Sequence, residues 1–169
     1  IEYYKGNDPD KLVELYEAYA YECYLTNQVK TSIAYAEKAL ALWEKIKDAE
    51  RTGNCLRFLS RLWWFDGDRK KAETFATQSI ELLDKLPTSK SKAMAYSNMS
   101  HLKMLSDEPA ECILWGEKAI TMAKELSDNE ILSHALNNVG DVLARIPSSR
   151  EKGIGLLQQS LKLALKHHF

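Results

Sequence analysis

Arg57 and Arg61 stand four residues apart, and Trp64 follows three residues after Arg61, so on a helix all three share one face. Two guanidinium groups beside a rigid indole suit a carboxylate partner. Arg offers paired donors to the two oxygens, and Trp supplies an apolar contact with little rotamer freedom to lose. Steps of three and four extend this face back to Asn54. The same register gives Glu14, Glu17, Tyr21 and Tyr24 earlier in the chain, then Met94, Ser97, His101 and Met104, then His134, Asn137, Asp141 and Ala144. Asn98 and Asn138 recur one residue along, and a side-chain amide both donates to and accepts from a peptide backbone. The expected ligand contacts are Arg57, Arg61, Trp64, Asn98, His101, His134, Asn137, Asn138 and Asp141, which suit an acidic or C-terminal carboxylate segment of a partner. A plainer use competes with each. Glu14 and Glu17 can neutralise Arg57 and Arg61 across neighbouring helices, and Asn98 and Asn138 can tie adjacent helices together.

Other reactive residue types lack the company that chemistry needs. Gly153-Ile154-Gly155 is a bare G-x-G with no strand before it, and reads as small packing residues at a helix start rather than a phosphate loop. His101 and His134 have no evident third ligand for a metal, and His167-His168 reads as a solvated helix end. Cys112 lacks a base and an orienting group, so it is not expected to act as a nucleophile. Trp63 is expected in the core, Trp64 as an exposed anchor. The many Asp and Glu residues fall on outward faces at helical spacing. No catalytic residue, metal or cofactor is therefore expected.

The elements that must position these side chains follow from composition and periodicity. The 169 residues are 45% apolar and 28% charged, with only seven Gly and four Pro, as in a helix-rich globular protein. Lys plus Arg number 23 against 24 acidic residues, a net charge of −1. Without a basic excess, nucleic acid and anionic membrane are not expected partners. No apolar run approaches the roughly 18 residues of a membrane span, and no signal peptide is evident. The three cysteines are odd in number and widely spaced, with no C-x-x-C pair, which favours reduced, buried thiols in a cytoplasmic protein. Ile1 at the start, and a helical pattern still running at Lys166–Phe169, suggest a piece of a longer protein.

Self-similarity is the strongest pattern. Ala20, Ser60, Ser100 and Gly140 recur every 40 residues; Ser32, Ala72, Cys112 and Gly153 form a second column, and Ala39, Ser79, Ala119 and Ser160 a third. Ala, Gly, Ser and Cys together are only about a quarter of the chain, so uniformly small columns are not a product of composition. Small residues let two helix axes approach, and bulky partners fill the gap: Tyr16, Leu56, Tyr96 and Leu136, then Tyr19, Leu59, Met99 and Val139. Each period splits into two helices. First helices are predicted at 9–26, 50–65, 90–105 and 129–146, and second helices at 29–47, 68–86, 108–126 and 149–167. Asp8-Pro9 offers a cap and a first-turn proline, and Ser148 with Glu151 fits a capping box. No segment alternates with period two, so strands are not expected. The repeats run about 7–47, 48–86, 87–126 and 127–169 within a single domain, after a remnant of a preceding helix at 1–6. Leu157, Leu161 and Leu165 at the far end predict uncovered apolar surface and end-to-end self-association.

Leu56, Leu59, Ser60, Trp63, Ala72 and Ala76 in the second repeat, and Leu136, Val139, Gly140, Leu143, Gly153 and Leu157 in the fourth, resemble the W-x2-L-G-x2-Y then A-x3-F pattern of tetratricopeptide repeats. The chain departs from it in its 40-residue period, in Lys103 and Leu143 at aromatic slots, and in Ala, Gly or Leu where Phe is usual. The longer period looks like the variant found in bacterial regulators and kinesin light chains. The resemblance implies an all-α, right-handed solenoid of four helix pairs, with first helices lining a concave surface that takes a protein or peptide ligand. Leu59-Ser60-Arg61-Leu62-Trp63-Trp64-Phe65, Ala95-Tyr96-Ser97-Asn98-Met99, Trp115-Gly116-Glu117-Lys118-Ala119 and His134-Ala135-Leu136-Asn137-Asn138-Val139-Gly140 also look like the helical-repeat region of large ATP-binding, LuxR-type transcriptional regulators. That family carries ATPase and DNA-binding domains on either side of its repeats. This stretch has no G-x-x-x-x-G-K-[ST], so neither activity belongs to these residues. The expected role is a non-catalytic recognition module, with a structural spacer or oligomerisation arm as the alternative.

Overall fold

A computed structural model describes residues 8–168. The expected helical remnant at 1–6 lies outside the described residues. Eight α-helices, and no strand among the described residues, follow one another: α1 Pro9–Leu25, α2 Val29–Ile46, α3 Ala49–Phe65, α4 Arg69–Leu83, α5 Lys90–Leu105, α6 Pro109–Glu125, α7 Asn129–Arg145 and α8 Arg150–His167. Five of the eight starts carry an acidic or hydroxyl cap that accepts a backbone amide. Asp8 accepts from the amides of Asp10 and Lys11, while Asp48, Asp68, Ser89 and Asp128 accept from the amide three residues on.

Five of the stops share one geometry. Asn27, Lys47, Gly67, Asp107 and Ser127 all have positive φ, between 54° and 91°. The next amide in each case reaches back to close the last turn, as from Gln28 to the Cys23 carbonyl at 2.7 Å and from Asp68 to that of Trp63 at 3.0 Å. Only Gly67 adopts this conformation without a Cβ penalty. The series is spaced by 20 residues, and its two missing members are Pro87 and Pro147, whose rings forbid positive φ. Those two joints are where the sequence expectation fails. α4 ends at Leu83, three residues early, and Lys85 and Leu86 bond to the Leu82 and Leu83 carbonyls in tight turns instead. Pro147–Ser149 forms a 3₁₀ turn, so the expected capping box from Ser148 to Glu151 does not start α8; Ser149 is its cap, without a side-chain bond.

The chain divides into two compact units, 1–86 and 87–169. In the first unit α2 packs on α1, α3 on α2 and α4 on α3. In the second, α6 packs on α5, α7 lies against both α5 and α6, and α8 packs on α7. All twelve residues of the three small columns are buried. Several do more than fit. The Ser32 hydroxyl donates to the Ala20 carbonyl at 2.6 Å, Ser79 to that of Gly53 at 2.7 Å and Ser100 to that of Cys112 at 2.8 Å. A serine in these seams is as small as the contact requires and adds a hydrogen bond between the paired helices. Around them pack Leu59, Leu62, Ala20, Ile33 and Ala36 in the first unit, and Ala93, Ala123 and Ile131 in the second.

Candidate functional site

Arg57, Arg61 and Trp64 belong to the first unit, on α3. Arg61 is the best defined of the three. Its Nε donates to the Tyr24 hydroxyl at 2.9 Å, and its guanidinium carbon lies 5.5 Å from the Tyr24 ring centre and 5.8 Å from that of Phe65. Tyr24 in turn meets Phe58 edge-on at 5.9 Å and Phe65 at 5.5 Å, and Tyr21 lies 6.3 Å from Phe58. The C-terminal halves of α1 and α3 thus carry an aromatic cluster with one guanidinium held in it. Phe65 is 53% exposed, so the cluster reaches solvent. Among the described residues no carboxylate pairs with Arg61. Helix spacing explains the assembly: Phe58 and Phe65 sit three residues before and four after Arg61, on the same stretch of surface.

Arg57 donates from Nε to the Asn54 side chain at 3.0 Å. Trp64 is half-buried, with the Arg69 guanidinium 5.2 Å from its ring centre. Glu17 is occupied elsewhere. It accepts from the Trp43 indole N–H at 2.9 Å and lies 4.0 Å from Arg51. Burial pushes the Glu17 carboxyl above its usual range, and the Trp43 bond and the Arg51 charge only partly oppose this. Trp43 is accordingly core, and Trp63 packs on the core of its unit with Lys71 3.6 Å over its ring, its buried Nε1 meeting no hydrogen-bond partner among the described residues.

The other six expected residues lie in the second unit. His134 and Asn137 are exposed and line an open groove of about 530 Å³ between α7 and α8, together with Ser133, Ser160, Ala164, Glu130 and His168. Its floor is closed by reciprocal bonds, Ser133 Oγ to the Ser160 carbonyl at 3.0 Å and Ser160 Oγ to that of Ser133 at 2.8 Å. Asn138 is 4% exposed, and its amide donates to the Ser97 carbonyl at 3.0 Å. It is a strut between α7 and α5, the plainer of its two expected uses. Asn98 is buried too. Asp141 holds Arg145 at 2.9 Å, and Arg145 also reaches Asp107 at 3.3 Å. His101 is half-buried on α5. Among the described residues, no group of three or more His, Cys, Asp or Glu could hold a metal ion, and no helix is long and apolar enough to cross a membrane. The thiols of Cys55 and Cys112 are both raised by burial, that of Cys55 to about 12, which removes nucleophilic character.

No protein-family model matches the sequence, and no curated protein matches it. Solved structures do. The crystal structure of BtubC (BKLC) from P. vanneervenii has 17% identity and a TM-score of 0.77, over 99% of this chain and 68% of that one. Two crystal structures of a kinesin light chain with nearly identical TPR-like repeats from Podosopora anserina follow. They have 14% and 13% identity and TM-scores of 0.68 and 0.65, again over 99% of this chain, and over 81% and 82% of theirs. Identities this low speak for the fold alone, which is that of tandem TPR-like helix pairs.

Proposed function

We propose that the chain is a non-catalytic protein-binding module whose first unit captures an acidic or C-terminal carboxylate segment of a partner at Arg61. The observation that carries this is the state of that guanidinium. Tyr24 and the rings of Tyr24 and Phe65 fix it from within the unit, yet no described carboxylate neutralises it. A preoriented cation in an exposed aromatic cluster favours an acid flanked by an apolar side chain, because binding then needs little ordering of the protein. Arg57 and Trp64 extend the same helix and are proposed to widen the contact. Selection of a random peptide library against the chain tests it. Enriched peptides should carry an acidic residue or a free C-terminus beside an apolar one, and Arg61→Ala should weaken them at least tenfold while Arg57→Ala weakens them less. Enrichment of basic peptides, or binding indifferent to Arg61→Ala, would remove the reading.

The TPR-like fold supports a protein-interaction role in general. The LuxR-like stretches support, by sequence resemblance only, a place for this module in a larger cytoplasmic transcriptional regulator. A second reading is end-to-end self-association, favoured by Leu15 and Tyr19 on α1, which are 39% and 42% exposed, and by Leu165 on α8, which is 68% exposed.

A further inference from the structure

Resting on the carboxylate reading of Arg61, we infer that Tyr24 is a second donor to the same acid: its hydroxyl and the Arg61 guanidinium together form one carboxylate site between α1 and α3.

A guanidinium only donates, so in the 2.9 Å bond from Arg61 Nε the Tyr24 oxygen is the acceptor. The Tyr24 O–H proton is therefore unspent. The N–H groups of both Arg61 Nη atoms are unspent as well, and neither they nor the hydroxyl meet an acceptor among the described residues. The guanidinium fork is rigid and planar, and on the side that carries Nε–H the next N–H belongs to an Nη atom. The Tyr24 proton and that N–H thus stand side by side, as two N–H groups do on a guanidinium with no other bond. A carboxylate can take one with each oxygen, and the bonds are charge-assisted. Both side chains are half-buried, where a donor left unmade is more costly than at the open surface.

The surroundings hold both donors in place. The Tyr24 ring meets Phe58 edge-on at 5.9 Å and Phe65 at 5.5 Å, and the Arg61 guanidinium lies against the Tyr24 and Phe65 rings. Little side-chain freedom remains to be lost on binding. Tyr21 and Phe65 are each more than half exposed, which gives an apolar side chain beside the acid a surface to cover. The packing of first helices does not itself require the pair. Eighty residues on, the equivalents of Tyr24 and Arg61 are Met104 and Asp141. α5 and α7 pack together with those residues, and Asp141 holds Arg145 at 2.9 Å. The hydroxyl–guanidinium pair belongs to α1 and α3 and has no copy on α5 and α7.

NMR titration of the 169-residue chain with two small peptides is the test. N-acetyl-Ala-Leu-Glu-Leu amide carries a side-chain carboxylate, and N-acetyl-Ala-Leu-Leu carries a C-terminal one. The Gln form of the first and the amidated form of the second are their neutral controls, and the acid that outbinds its control names the source of the carboxylate. Tyr24→Phe keeps the ring and its contacts, with the fold checked by circular dichroism and thermal unfolding. It should bind the acid about tenfold more weakly than the parent and bind the neutral control unchanged. In the parent, the Arg61 Nε–H resonance should hold its place on binding, because its bond to Tyr24 persists, while the Nη resonances move. Two results would overturn the role of Tyr24 and leave the carboxylate reading of Arg61 intact. One is acid binding unchanged in Tyr24→Phe but lost in Arg61→Ala. The other is an Nε–H resonance that moves on binding to where it lies in Tyr24→Phe, which would mean that the acid displaces the hydroxyl. If neither acid outbinds its neutral control at millimolar concentration, the reading of Arg61 falls, and the role of Tyr24 with it.

Discussion

Gly153 and Gly155 lie two residues apart on α8 in surroundings that should give the same substitution opposite signs. A Cβ at Gly153 would fall 2.7 Å from the Ala144 Cα and 2.7 Å from the Leu143 carbonyl carbon. Both are backbone atoms of α7, so no side chain can swing aside, and α8 must move outward. Overpacking of this kind costs about 1–3 kcal/mol, the upper end applying where the obstacle is rigid. Alanine's better helix propensity returns about 1 kcal/mol, which leaves Gly153→Ala destabilised by about 2 kcal/mol. At Gly155 a Cβ meets nothing within 4 Å. Only the propensity gain remains there, so Gly155→Ala should be stabilised by about 0.5–1 kcal/mol. Urea unfolding followed by far-UV circular dichroism would read both, and the gap of about 3 kcal/mol exceeds extrapolation error. Equal stabilities, or Gly153→Ala more stable than the parent, would mean that the approach of α7 and α8 is not held by the missing side chain.

Asn138→Ala should cost about 1–2 kcal/mol by deleting the buried amide bond to Ser97, whereas Asn137→Ala, on the exposed side, should stay within about 0.5 kcal/mol of the parent; chemical denaturation compares the two. Asp128 supplies the pH dependence. Partial burial raises its carboxyl, but the Ile131 amide and the Lys90 ammonium outweigh that and hold it below its usual value. Its contribution is therefore complete above the unfolded value of about 3.9 and is lost as pH falls through the lower folded value. Asp128→Asn keeps a good cap without the charge, so its cost against the parent, measured by denaturation at a series of pH values, should be present at neutral pH and vanish in acid.

Helix positions were legible because two independent signals agree on them. Small columns at 40 residues fix which faces meet, and Asp8-Pro9 marks where the first helix begins; the caps at Asp48 and Asp128 are seen in the structure. What stayed hidden depends on dihedrals that composition does not announce. Lys47 and Ser127 adopt positive φ as Gly67 does, although neither residue type advertises it. The early end of α4 and the 3₁₀ turn before α8 follow from Pro87 and Pro147 standing where the other joints turn left-handed. Gly155 was read as a packing residue together with Gly153, yet only Gly153 is pressed against a neighbour. In sequence the two glycines look alike; the difference is the 200° of helix rotation that separates positions two apart.

The same angular argument sorts the candidate binding residues. Asn98 and Asn138 sit one residue off the stripe that runs through Ser97, His101, His134 and Asn137, which turns them about 100° round the helix; both are buried, and Asn138 enters the seam between α7 and α5. Burial then decides their use: an amide with almost no exposed surface can anchor α7 to α5 but cannot meet a peptide. Along the stripe, His134 and Asn137 remain exposed on the groove wall, and Arg61 is half-buried among its aromatic neighbours. Phe58 and Phe65 were not among the expected contacts, although their spacing of three and four from Arg61 brings them beside it. An arginine flanked at those spacings by aromatic residues is a signal that sequence alone can supply. What sequence could not supply is that Glu17 would spend its charge on Trp43 and Arg51. Glu17 is held by Trp43 and by Arg51 near the start of α3, and Arg61, further along the same helix, is held by Tyr24 and the rings around it.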